Sequence, residues 1–149
     1  MHGLITARIL SVEDENNLVG LELPDGKVFY VTNGNGKIVK QHMIDSVQSV
    51  NLETIQPEFE VIALPRFDIE PGADKYGAGQ FFGLITEIVD NPSLDSQMVI
   101  LETGYGSIYA VFFYKAARSL KKRDFIKIKP NQIYLTNLTN SHGGMVYNG

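Results

Sequence analysis

The chain has 149 residues, 44% of them apolar and 20% charged, with a formal net charge of −4. That balance is globular rather than disordered, and the length accommodates at most one or two small domains. There is no cysteine, which excludes disulfides, zinc–thiolate centres and thiol catalysis, and no apolar run approaches the ~20 residues of a membrane-spanning helix.

Along the chain the pattern is that of short strands. Ile5, Ala7 and Ile9 alternate with Thr6 and Arg8, the period-two signature of a half-buried strand. Glu13-Asp14-Glu15-Asn16-Asn17 makes a polar turn, and Val19, Leu21 and Leu23 give the next apolar face. Pro24-Asp25-Gly26-Lys27 is a turn in which proline presets φ and glycine supplies a positive φ. Val28 to Thr32 is the third strand, stopped by Asn33-Gly34-Asn35-Gly36. Ile38, Val39, His42, Met43 and Val47 fit one face of a short helix. Two more strands are expected at Val47 to Ile55 and Phe59 to Leu64. Residues 65–80 lack periodicity and read as a linker or surface loop.

The same order then recurs. Strands are expected at Phe81 to Val89, Met98 to Glu102 and Ile108 to Tyr114. Lys115 to Lys121 contains helix formers and no β-branched residue, so one or two helical turns are expected there. Phe125 to Lys129 and Gln132 to Leu135 are the last strands, before a polar tail at 139–149.

The recurrence has a register. Gly3-Leu4-Ile5-Thr6 matches Gly83-Leu84-Ile85-Thr86 at an offset of 80, and without a gap Val19 meets Val99, Leu21 meets Leu101, Gly26 meets Gly106 and Val31 meets Val111. At the same offset Val28 meets Ile108 and Phe29 meets Tyr109. The expected fold is therefore all-β: two tandem five-stranded OB-like barrels, each with a short helix, at 1–64 and 81–138. A closed barrel buries one face of each strand and leaves no open edge, which suits units this small.

The opening Gly83-Leu84-Ile85-Thr86-Glu87-Ile88 and closing Leu120-Lys121-Lys122-Arg123-Asp124-Phe125-Ile126-Lys127-Ile128-Lys129 of the second half resemble OB-like ligand-binding modules of the TOBE type. In those an L-x-x-G-D turn leads into the penultimate strand, and Arg123 stands here in the glycine position. The first half, through Gly3-Leu4-Ile5-Thr6-Ala7-Arg8-Ile9 and Glu13-Asp14, is similar to the OB domains of phage baseplate spikes and hubs. Leu18-Val19-Gly20 replaces the Gly-Arg-Val that follows in them. These resemblances imply a barrel class; fold alone does not give function.

The chemistry-bearing residues are sparse. His2, His42 and His142 lie far apart and read as unrelated surface histidines. Glu13-Asp14-Glu15 lacks the alternating ligand pattern of a calcium loop and reads as a solvated turn; Asp68, Glu70 and Asp74 share one loop and are a slightly better cation candidate. Asn33-Gly34-Asn35-Gly36-Lys37 lacks phosphate-loop spacing. No catalytic, cofactor or metal residue is assigned. Charge is uneven: residues 1–80 carry six Lys/Arg against twelve Asp/Glu, and residues 81–149 seven against five. Lys121, Lys122 and Arg123 belong to a basic stretch beside Phe112, Phe113 and Tyr114, but an acidic whole disfavours nucleic acid.

The expectation is a non-enzymatic structural subunit of a multi-protein assembly, a virion or phage tail or baseplate component. Its partners would be other subunits or copies of itself, with no cofactor. The alternative is a tandem OB- or TOBE-like module binding a small anion or single-stranded nucleic acid. Candidate interface residues are Lys121, Lys122, Arg123, Met145, Val146 and Tyr147, the last three an apolar tip on a polar arm suited to strand addition. The start of the chain shows no basic region or cleavage pattern, so no signal peptide is expected, and the location is the virion or the cytoplasm of the producing cell.

Overall fold

A computed structural model describes residues 4–34, 37–74, 77–113 and 119–140. Alternating sequences form strands, with β6 added in the expected linker and β11 running on into the expected tail: β1 (Leu4–Glu13), β2 (Leu18–Glu22), β3 (Val28–Asn33), β4 (Val47–Ile55), β5 (Glu58–Val61), β6 (Asp68–Glu70), β7 (Gln80–Asn91), β8 (Ser96–Glu102), β9 (Ser107–Phe113), β10 (Phe125–Lys129) and β11 (Tyr134–Asn140). All eleven belong to one sheet.

Five of them close a barrel. β1 pairs with β2, β2 with β3, β3 with β11, β11 with β4, and β4 back with β1. Every ladder of this ring is antiparallel except β3 with β11, which is parallel. This is an OB-like barrel. The inward faces supply a core that includes Ile5, Ile9, Leu21, Phe29, Val31, Leu52 and Leu135, all buried.

The closing strand is not the expected one. Phe59 to Leu64 does not complete the first barrel: β5 pairs with β10 of the second half instead. The first barrel is closed by β11, the final strand of the chain. Conversely β4 runs on past the first barrel, and its last residues Glu53–Ile55 lie parallel to β9. The second half thus runs β9, β8, β7, β10, β5, with β6 added on β7. Each half takes its last strand from the other. An alternating strand reads the same whichever neighbour it pairs with, so periodicity could not assign it.

The repeat is also shifted from its ungapped register. Each first hairpin carries one irregularity, between Ile9 and Ser11 and between Ile85 and Glu87. Opposite these lie Leu21 and Leu101, so Ile9 corresponds to Ile85, whereas the Gly-Leu-Ile-Thr match puts Ile5 there. In the third strands Phe29 faces Leu21 and Ile108 faces Leu101. Phe29 therefore corresponds to Ile108 and Val31 to Ala110, not to Tyr109 and Val111. The β8–β9 turn is one residue shorter than the β2–β3 turn, and a slip of one residue turns every side chain to the other face. The inward alternation confirms the correction: Phe29, Val31, Ile108 and Ala110 are all buried.

The expected first helix is only a 3-10 turn, Gln41–Met43. Positive φ at Lys37 (+61°) and Asp45 (+74°) bounds the segment. From the end of β3, the buried Asn33 amide donates to the Val39 carbonyl and accepts from the Val39 N–H, both at 2.9 Å, so the Val39 backbone groups are bound to a side chain and not to a helical turn. Most of the second expected helix, residues 114–118, lies outside the described residues. The segment 65–80 is more ordered than a linker: β6 pairs with β7 and its Ile69 is fully buried. Of the expected tail, Thr139 and Asn140 end β11, and 141–149 lie outside the described residues. No helix among the described residues is long and apolar enough to cross a membrane.

Candidate functional site

Three surface regions carry chemistry. The first is a groove over the seam where β3 and β11 run parallel. Three adjoining hollows of about 260, 450 and 260 Å³ follow it, Thr32 lying between the first and second and Gly34 and Tyr134 between the second and third. The alternation of β3 explains its floor: Phe29 and Val31 point inward, so Tyr30 and Thr32 point out. Parallel pairing sets Tyr134 beside Thr32. The Gln132 amide donates to the Thr32 hydroxyl at 2.6 Å, and the Tyr134 hydroxyl donates to the Gln132 carbonyl at 3.0 Å. The β1–β2 turn forms the rim, with Asn16 and Asn17, whose amide donates to the Asn33 carbonyl at 2.8 Å. The charges of that rim oppose each other, Lys37 lying 3.9 Å from Asp14.

The second region is a polar lock between the halves. Tyr105, on the β8–β9 turn, donates its hydroxyl to Asp25 on the β2–β3 turn. Lys27 reaches Asp68 of β6 at 2.5 Å and lies 5.4 Å from the Tyr105 ring centre. Arg66 bonds Asp68 at 2.8 Å and Glu70 at 2.5 Å, with its guanidinium 3.8 Å above the Phe82 ring. The titrations follow. The bond to Asp68 raises the Lys27 ammonium far above the usual lysine range. The bond to Asp25 raises the Tyr105 phenol, and that bond lowers Asp25. Burial pushes Asp68 up, but the bonds from Lys27 and Arg66 outweigh it and its carboxyl is lowered. The carboxylates offered by the sequence as cation ligands, Asp68 and Glu70, are thus neutralised by Lys27 and Arg66. No group of three or more metal-ligating side chains occurs among the described residues.

The third region is an apolar strip on the segment leading out of β5. Val61, Leu64 and Phe67 are 50%, 79% and 49% exposed within seven consecutive residues. Phe67 meets Phe125 edge to face at 5.3 Å, which fixes its ring at the surface.

The residues singled out from sequence are spread. Lys121, Lys122 and Arg123 are exposed on the turn before β10. Lys122 lies 3.8 Å from Glu87, and Lys127 lies 3.2 Å from Glu60. Arg123 has φ +80°, so it occupies the left-handed position where the resembled turn has glycine. Asp124 completes the turn, accepting from the Lys121 N–H at 3.0 Å. Gly26 and Gly106 lie in turns with φ +91° and +124°. His42 is exposed on the 3-10 turn. Met145, Val146 and Tyr147 lie outside the described residues, as do His2 and His142. Sequence reasoning missed the groove and the lock. Tyr30, an aromatic at an outward position of an alternating strand, was the available signal for the groove.

No protein-family model matches the chain, and no curated protein matches it.

Proposed function

We propose that this chain is a non-enzymatic subunit of a multi-protein assembly, docked through the strip at Val61, Leu64 and Phe67. The carrying observation is the exposure of three large apolar side chains on one short segment. Large apolar side chains gathered in exposed positions on one short segment suit contact with another protein. Strand exchange supports the reading, because it ties the segment that carries the strip into one sheet shared by both halves. The resemblance of Gly3 to Ile9 to baseplate barrels favours a virion or tail component. The alternative, an anion or single-stranded nucleic acid module using Lys121, Lys122 and Arg123, has less support. Two neighbouring cations, Lys122 and Lys127, already face carboxylates.

A photo-crosslinking residue at position 64, introduced in the native source, tests the proposal. The expected result is one discrete protein adduct, lost when Val61 and Phe67 are changed to Ser in a chain that still folds. A folded chain giving no protein adduct overturns it. Affinity for single-stranded DNA that falls steeply with salt and is lost on Lys121→Ala, Lys122→Ala and Arg123→Ala promotes the alternative.

A further inference from the structure

The groove over the β3–β11 seam has a composition that selects its ligand. Its walls carry two tyrosines, Tyr30 and Tyr134, amides and hydroxyls that include Asn16, Asn17, Thr32 and Gln132, and few charges. Of these charges, Asp14 faces Lys37, and Glu53 adds a further negative group in the third hollow. A polyanion needs an excess of cations in its path, and among the described residues this groove has none. A small hydrophobic ligand needs an enclosing pocket, and these hollows are open to solvent.

Tyr30, which lines the first hollow, is built as a platform. Gly20 on β2 lies directly across from Tyr30 in the β2–β3 register. A Cβ at position 20 would stand 3.0 Å from the Tyr30 ring carbon Cε2 and 2.6 Å from the Ser11 hydroxyl. Glycine therefore lets the Tyr30 ring lie down across β2, rather than stand away from the sheet. Cross-strand packing of an aromatic over a strand glycine fixes the ring. Around it, primary amides offer donors and acceptors on adjacent atoms, and Thr32, Gln132 and Tyr134 are already joined in one hydrogen-bonded row.

We infer that this groove binds a neutral oligosaccharide. A sugar ring presents an apolar face to an aromatic ring and vicinal hydroxyls to amide groups. Tyr30 stacks the ring face, Asn16 and Asn17 bond hydroxyls at the rim, and the Thr32–Gln132–Tyr134 row bonds them along the floor. The site is distinct from the apolar strip, so glycan binding and subunit docking are separable properties of the chain.

The test is an array of neutral oligosaccharides probed with the full chain, followed by calorimetric titration of the best ligand. Oligo-dT and inorganic phosphate are titrated in parallel. The expected result is saturable binding of a neutral oligosaccharide, unaffected by raising salt, and weakened about tenfold by Tyr30→Ala. Because Tyr30→Ala also uncovers Gly20, Asn16→Ala on the exposed turn serves as the second variant, and Tyr30→Phe retains the platform and the binding. Absence of any oligosaccharide binding by the folded chain overturns the inference. So does binding unchanged in both alanine variants, or binding of oligo-dT or phosphate in preference to sugars.

Discussion

At the β2–β3 turn Gly26 has φ +91°, and a Cβ placed there would meet nothing within 4 Å. At the β8–β9 turn Gly106 has φ +124°, and a Cβ there would overlap the Leu4 carbonyl oxygen. Both turns join the second and third strands of their halves, and sequence matched the two glycines. Gly26 answers only a local dihedral requirement. Gly106 answers that requirement and also lets the second half's turn touch the first half's first strand, bridging to Ile5. The difference marks one further place where the halves meet, a turn of the second lying on the backbone of the first.

The largest expected effect breaks or sharpens this comparison. Gly106→Ala meets an unfavourable φ and an unyielding backbone oxygen, and is expected to destabilise by about 3 kcal/mol or more. Gly26→Ala meets only the dihedral cost, about 1 kcal/mol. Urea unfolding of both variants measures the gap. Equal losses would mean that contact with β1 contributes nothing and that the two turns are energetically alike.

That contrast also marks what sequence could and could not convey. Strands such as Ile5 to Ile9 and Phe125 to Lys129 were legible because inward and outward residues alternate, a property of each strand alone. The exchange of β5 and β11 was not, because it depends on which edge a strand meets after the chain turns. The one-residue difference between the β2–β3 and β8–β9 turns was hidden for a related reason. An ungapped match tolerates it when Val28, Val31, Ile108 and Val111 are all apolar, although only Val31 and Ile108 of these are buried. β6 was invisible because one inward residue, Ile69, establishes no period. The groove joins β3 to β11, about a hundred residues apart in sequence, and no local pattern connects Tyr30 to Gln132.

A second comparison sets the lock against an ion pair on the first barrel. Asp68 is 21% exposed and binds Lys27 and Arg66, whereas Asp45 is 75% exposed and binds Arg8 at 3.0 Å. Asp68→Asn is expected to cost about 1 kcal/mol at neutral pH, and Asp45→Asn only a few tenths. The pH dependence separates them further. The Asp68 carboxyl is lowered in the folded chain, so its contribution is complete above its unfolded value of about 4 and is lost as pH falls through the folded value. The difference in melting temperature between wild type and Asp68→Asn should therefore shrink in acid. A difference that stays constant from neutral pH to well below 4 would show that the lock acts through shape and not charge.

The smallest expected effect concerns two matched left-handed residues. Asp45 (φ +74°) and Arg123 (φ +80°) each precede the fourth strand of their half. Their N–H groups donate to equivalent first-strand carbonyls, Asp45 to Ile9 at 2.7 Å and Arg123 to Ile85 at 2.8 Å. An L-residue pays about 1–2 kcal/mol for this conformation, less when it is Asp, whose short side chain is more at ease there. Replacement by glycine removes that strain and returns about 0.5–1 kcal/mol of it through the freer unfolded chain. For Arg123→Gly the balance is a gain of about 0.5 kcal/mol. For Asp45→Gly the strain relieved is smaller and the bond from Arg8 is lost, so the balance is zero or a slight loss. Thermal unfolding at low salt resolves the sign. A loss for Arg123→Gly would mean that the arginine side chain makes a stabilising contact outweighing its backbone strain, and that the departure from the glycine pattern at this turn is a gain for the fold.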